Sequence, residues 1–301
     1  MDGLGGASDI ELVSAARDVS ISGMGYDVFE IERSGGVSTL WLANAARRNA
    51  MGPAFWDELP RAMAELGDDP ETRVIVLAAR GPHFTVGLDL QAMGGSIAGG
   101  GETSGAGQRM RALREIARLQ RSITAVAECP KPVVAAIHGW CIGGGIDLIT
   151  ACDVRVASAD ARFSVRETRI AIVADVGTLQ RLPKLIPAGA VRELAYTGRR
   201  MPAQRAKEVG LVNEVYPSHE AMLAGVLGIA GEIAEKSPLA IWGSKQMLNY
   251  ARDHSVEDGL EYIATWQAGM FFGTDMAEAF QARAQKRKPV FQNNPPTRRE
   301  V

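Results

Sequence analysis

From Tyr26 onward the chain alternates between two rhythms of apolar and polar positions. Tyr26–Arg33 and Val37–Leu42 alternate in strand fashion on either side of Ser34-Gly35-Gly36, which predicts two strands joined as a hairpin. Between Pro53 and Leu66 the period lengthens. Phe55, Leu59, Met63 and Leu66 return at intervals of three and four, the mark of an amphipathic helix with proline near its start. Val74–Ala78 is apolar throughout and rich in β-branched residues, as in a strand buried on both faces. Pro132–Ile137 repeats that pattern after a helix over Met110–Glu128, and a helix at Ile146–Ala151 and a strand at Val154–Ala157 follow. Short buried strands alternating with helices predict parallel pairing through crossovers, hence an α/β core.

Beyond about residue 200 the pattern turns helical, with segments at Ala203–Val209, His219–Lys236, Pro238–Asp253, Val256–Phe271 and Met276–Lys286. No strand pattern remains there to cover their apolar faces, which predicts packing against a neighbouring subunit. The reading divides the chain into a Gly/Ser/Asp-rich lead-in at 1–25, a core at 26–215 and a helical oligomerisation region at 216–301. Gly94–Gly107 has almost nothing to pack and is expected to be a mobile loop.

Composition narrows the function classes. Hydrophobic residues make up 46% of the 301 and charged residues 23%, as in ordinary globular proteins. A net charge of −2 gives no global attraction to nucleic acid or an anionic membrane. The three cysteines, Cys129, Cys141 and Cys152, show neither CxxC spacing nor a nearby histidine pair, so no disulfide framework or metal site is expected. The N-terminus has early acids and no long apolar run, no stretch approaches the ~20 apolar residues of a membrane span, and the chain ends in Arg-Glu-Val rather than a peroxisomal address. These features predict a cytosolic protein.

The candidate chemistry centres on Gly139–Arg181. Gly143-Gly144-Gly145 follows a strand and opens a helix, where unpaired amides suit an oxyanion; a tight strand-to-helix turn is the plainer alternative. The triplet is no dinucleotide fingerprint, because Leu148 stands where the third glycine belongs, and no Gly-Lys-Ser/Thr follows. A second loop, Phe84-Thr85-Val86-Gly87-Leu88-Asp89, also leaves a buried strand, and two such loops in one sheet can converge on a single oxygen. Three acids share the apolar stretch: Asp147, Glu167 and Asp175. With Arg166 and Arg169 flanking them, structural ion pairs compete with catalysis as their role. Asp153 is read as a capping acid, His138 as a satisfied core residue, and Lys286-Arg287-Lys288 as a solvated face or a phosphate contact. No GxSxG elbow or Cys–His pair supports nucleophilic hydrolysis.

HFTVGLDL, IHGWCIGGGIDLITACDVRVAS and the KRKPVF ending together resemble the enoyl-CoA hydratase/isomerase (crotonase) family, over roughly residues 26–291. Within it the chain is most similar to the Δ3,5-Δ2,4-dienoyl-CoA isomerases, through ETRIAIVADVGTLQRLPK and YARDHSVEDGL. The resemblance implies a spiral of ββα turns with a helical C-terminal trimerisation region, assembled as a homotrimer or a dimer of trimers. It implies an acyl-CoA thioester whose carbonyl oxygen rests on the amides of Val86 and Gly144, with Arg48, Ala50, Gly87, Leu88, Asp89 and Lys286 at the CoA moiety. Asp147 and Glu167 fall where hydratases carry two glutamates, and Asp175 matches the extra acid of the dienoyl isomerases.

The implied reaction moves a proton in a 1,5 shift. Glu167 takes the C2 proton, Asp175 donates one at C6, and Asp147 stays ionised and raises the Glu167 pKa. No metal or redox cofactor is called for, coenzyme A being part of the substrate. The alternatives are a 2-enoyl-CoA hydratase, a Δ3-Δ2-enoyl-CoA isomerase, and a catalytically idle module that binds acyl-CoA or RNA. Departures from the family pattern are Leu42-Ala43-Asn44-Ala45 and the glycine-rich insert.

Overall fold

The computed structural model describes residues 25–98, 105–270 and 273–293. Its first half contains β1 (Phe29–Ser34), β2 (Val37–Leu42), α1 (Pro53–Asp68), β3 (Val74–Ala79), α2 (Leu90–Ala98), α3 (Gly105–Glu128), β4 (Val133–Ile137), β5 (Trp140–Ile142) and α4 (Gly144–Ala151). Next come β6 (Val154–Ser158), β7 (Arg162–Ser164), the one-turn α5 (Thr178–Arg181), α6 (Ala188–Thr197), β8 (Met201–Pro202), α7 (Ala203–Glu208) and β9 (Glu214–Tyr216). Four helices close the chain: α8 (His219–Ala234), α9 (Pro238–Tyr250), α10 (Val256–Met270) and α11 (Thr274–Ala284).

The large sheet has the order β1-β2-β3-β4-β6-β9, and a small one the order β5-β7-β8. Only β1 runs antiparallel in the large sheet, joined to β2 by the predicted hairpin. Gly35 and Gly36 have φ of 58° and 82°, the left-handed pair that a two-residue primed turn requires. The parallel strands are buried on both faces, as their unbroken apolar runs predict. Ile75, Leu77 and Ala79 of β3 face one core while Val74, Val76 and Ala78 face another, and β4 divides in the same way.

The C-terminal helices differ from expectation in one respect. Met222, Val226, Ala230 and Ala234 of α8 are buried against the second face of the large sheet. That helix therefore has a strand layer to cover and is part of the core. The exposed apolar side chains lie farther on: Leu248 on α9 is 70% exposed, Leu260 on α10 64% and Phe280 on α11 66%.

The glycine-rich stretch 94–107, predicted as a loop, has helical ends: α2 reaches Ala98 and α3 begins at Gly105. For α2 the reason sits at its start, where Asp89 Oδ1 accepts hydrogen bonds from the amides of Gln91 and Ala92. Such a cap contributes about 1 kcal/mol and offsets the poor helix propensity of glycine. The remainder of that stretch, and the lead-in through residue 24, lie outside the described residues.

Candidate active site

Two loops leave the ends of neighbouring parallel strands. The loop after β3 lies along β5, with Thr85 N–H donating to Trp140 O at 2.8 Å and Ile142 N–H to Thr85 O at 3.2 Å. Its other side is strapped by residues 48–51. Val86 N–H donates to Arg48 O at 3.2 Å, Met51 N–H to Gly87 O at 2.8 Å, and Asn49 Nδ2 to the carbonyls of Arg80 and His83 at 2.9 Å each.

Glycine is required where the loops touch. Gly87 has φ +83°, and a methyl group there would fall 2.5 Å from Ile142 O and 3.4 Å from Gly144 N. One on Gly145 would meet Thr85 Cγ2 at 2.6 Å. The triplet is thus both a tight turn and a close approach. Gly144 is the first residue of α4, so its N–H has no acceptor within that helix.

The acids form the facing wall. Asp147, in the first turn of α4, is 1% exposed. Its Oδ1 accepts from Thr178 N–H at 2.5 Å, while its Oδ2 is buried without a partner. Burial, then the charges of Glu167 and Asp175, push this carboxyl up to about 7, against the pull of the Thr178 hydrogen bond. The same burial that raises this carboxyl works against the ionised form expected of Asp147 from the sequence. Glu167 opens a 3-10 turn, Glu167–Ile170, and its carboxylate reaches over Gly143: Oε1 is 3.4 Å from where a Cβ on that glycine would stand. Burial, with Asp175 adding to it, raises the Glu167 carboxyl, and Oε2 is buried without a partner. Asp175 is more open to solvent, yet the surrounding wall still raises its carboxyl by desolvation.

One cavity of about 460 Å³ takes in all three acids together with Val86, Gly87, Leu88, Gly144 and Arg48. Ala50, Asp89 and Lys286 do not line it. Asp89 caps α2 and pairs with Arg47 at 2.9 Å, and Lys286 lies beyond the end of α11. Among the described residues neither Glu167 nor Asp175 forms a salt bridge, and Arg166 and Arg169 line the cavity without one. The ion-pair alternative for these acids thus has no support in the structure. Asp153, in contrast, is structural: its Oδ2 accepts from Val133 N–H at 2.7 Å and pairs with Lys245 at 2.8 Å. His138 is only half satisfied. Nε2 meets Gly81 O at 2.8 Å, the ring stacks on His219 at 3.8 Å, and Nδ1 has no partner.

Sequence reasoning missed three contributors. Thr178 anchors Asp147 through its amide, which carries no side-chain signature. Trp140 lines the cavity and stacks flat on His83 at 4.5 Å. Met51 packs on Gly144, its Sδ 2.7 Å from where a Cβ would stand. Only Trp140, beside the Gly143-Gly144-Gly145 triplet, offered a signal.

Comparison with known proteins gives the same picture. The Enoyl-CoA hydratase/isomerase family profile matches residues 32–294. The peroxisomal Delta(3,5)-Delta(2,4)-dienoyl-CoA isomerase of Arabidopsis thaliana is 43% identical over 272 residues, 88% of this chain and 97% of that protein. The mitochondrial Delta(3,5)-Delta(2,4)-dienoyl-CoA isomerase of Rattus norvegicus is 44% identical over 249 residues, covering 82% and 76%. The solved enoyl-CoA hydratase from Bacillus anthracis superposes with a TM-score of 0.80 at 30% identity, covering 89% of this chain and all of that one. The compartments in the first two names overturn the expectation of a cytosolic protein. Compartment is read from short address segments by receptors and leaves no mark on a catalytic fold. By profile, by relatives and by fold, the chain belongs to the enoyl-CoA hydratase/isomerase family.

Proposed function

We propose that this protein isomerises 3,5-dienoyl-CoA to 2,4-dienoyl-CoA. The observation that carries the reading is the third acid: Asp175 shares one cavity with Asp147 and Glu167, facing the two amide-bearing loops. A hydratase needs only a pair of carboxylates around a water, whereas a proton shift from C2 to C6 needs a group at each end of a conjugated system. The dienoyl-CoA isomerases at 43% and 44% identity support the same substrate class.

In this mechanism the thioester oxygen sits against the N–H groups of Gly144 and Val86, which stabilise the enolate. The Val86 N–H already donates to Arg48 O at a long 3.2 Å, so the thioester oxygen shares that donor or takes it over. Glu167, raised by burial toward the range of a useful base, removes the C2 proton. Asp175 delivers one at C6. Asp147, its carboxyl raised by burial, resists ionising beside Glu167 and so limits the negative charge gathered in the shared pocket. Every step is a proton transfer and asks for no metal or redox group. Arg48 and Leu88 are proposed CoA contacts of this protomer, and the exposed faces of α9–α11 are proposed to build a trimer.

Parallel incubation with 3,5-dienoyl-CoA and 2-enoyl-CoA, followed by ultraviolet absorbance, tests the assignment. Fast conversion of the diene with slow hydration supports it; fast hydration with an inert diene would establish a hydratase instead. Light scattering tests the assembly, and a monodisperse monomer at micromolar concentration would exclude the trimer.

A further inference from the structure

A second cavity, of about 880 Å³, adjoins the first, and the two share Asp175 and Val176 as their partition. Glu167 lines only the first cavity; Asp175 alone of the three acids borders both. Polar side chains stand on the far side, among them Gln120, Thr124, Gln180, Arg181 and Asn249. Gln120 Nε2 donates to the Asp175 carbonyl at 2.7 Å, and Arg181 donates to Thr124 Oγ1 at 3.0 Å and to Val176 O at 3.3 Å. These bonds hold the partition in place. Such a lining suits water and penalises an alkyl chain, which would strip the polar groups of their solvent.

Proton balance gives this cavity a task, on the reading that the protein is a dienoyl-CoA isomerase. Each turnover moves one proton from C2 to Glu167 and one from Asp175 to C6. The enzyme is left with a protonated Glu167 and an ionised Asp175, and the next turnover requires both to be reset. The substrate fills the first cavity, but the second still reaches Asp175. We propose that the second cavity is the solvent port of Asp175, through which this carboxyl regains its proton from water while the acyl chain is bound. Glu167 exchanges its proton separately, on the substrate side of the partition.

Ala127 lines only the second cavity and contributes no polar side chain, so Ala127→Phe fills the port without touching the acids. Its kcat is expected to fall by about tenfold or more, while the single-turnover rate stays within about twofold of wild type. Circular dichroism and an unchanged rate of C2–H exchange would show the fold and Glu167 intact; Leu185→Trp, which also lines only the second cavity, is the second plug if Ala127→Phe fails to fold. In deuterium oxide, wild-type enzyme acting on unlabelled substrate is expected to place deuterium at C6 in every turnover. Protium at C6 after the first turnover would mean that Glu167 hands its proton directly to Asp175, and would overturn the port. A folded plugged variant with wild-type kcat would overturn it as well. If the wild type left 3,5-dienoyl-CoA untouched, the isomerase reading itself would fall, and the port with it.

Discussion

On the donor wall of the cavity, Thr85, Val86 and Gly87 are tied on one side to β5 and on the other to residues 48–51, all through backbone hydrogen bonds. Across the cavity, Glu167 stands on a single 3-10 turn and Asp175 in the loop beyond it, and buried carboxylate oxygens of Asp147 and Glu167 have no partner. The donor wall is held in place by these bonds before substrate arrives, and the Gly144 amide has no acceptor within its helix to give up when charge develops. The acid wall holds three carboxyls that desolvation raises above their ordinary values, toward proton exchange. Stability and reactivity are thus allotted to opposite walls.

Removing the base should break the acid wall most completely. Glu167→Gln is expected to abolish both C2–H exchange and diene isomerisation, a loss of about 10⁴ or more when measured by deuterium uptake and absorbance together. Retention of C2–H exchange would move the base elsewhere.

On the donor wall the amide of Gly144 can be isolated by difference. Gly144→Ala adds the crowding against Met51 but keeps the N–H; Gly144→Pro adds similar crowding and removes it. The proline variant is expected to be slower than the alanine variant by about 10²–10³ in kcat, with matching circular dichroism. Equal rates would take Gly144 out of the oxyanion site.

A smaller effect sharpens the contrast through stability. The Asp147 carboxyl lies at about 7 in the folded chain against 3.8 as its ordinary value, so the folded state holds this proton more tightly. The stabilisation from that proton is complete below 3.8 and is lost as pH rises through about 7. Asp147→Asn, which keeps the acceptor for Thr178 N–H, is therefore expected to be more stable than wild type at pH 8, by on the order of 2–4 kcal/mol. The gap should close toward pH 4, as read by thermal unfolding across that range. A variant less stable at pH 8 would show that the charged form is well solvated.

The sequence carried the donor wall almost completely, because glycine marks where the chain must turn or be approached closely. Gly87 and Gly143 take φ of 83° and 55°, Gly144 and Gly145 stand against Met51 and Thr85, and the runs of β3 and β4 announce strands buried on both sides. The acid wall was legible in its members but not in their state. Nothing in the spacing of Arg166 and Arg169 says that they leave Glu167 and Asp175 unpaired, nor that burial would push the Asp147 carboxyl up. Tertiary packing decided the rest. The apolar face of α8 looks the same whether a sheet or a subunit covers it, and an aspartate cap starts α2, which runs into the glycine-rich stretch.

The central claim is that the two ends of the conjugated system are served by different carboxylates, and Asp175→Asn tests it most directly. The amide keeps the shape of the carboxyl and cannot return a proton to C6. With Glu167 and both amide loops intact, the variant is expected to exchange the C2 proton of a bound acyl-CoA with deuterated water at close to the wild-type rate. Its conversion of 3,5-dienoyl-CoA should fall by about 10²–10⁴. Isomerisation of the diene at the wild-type rate by this variant would contradict the account.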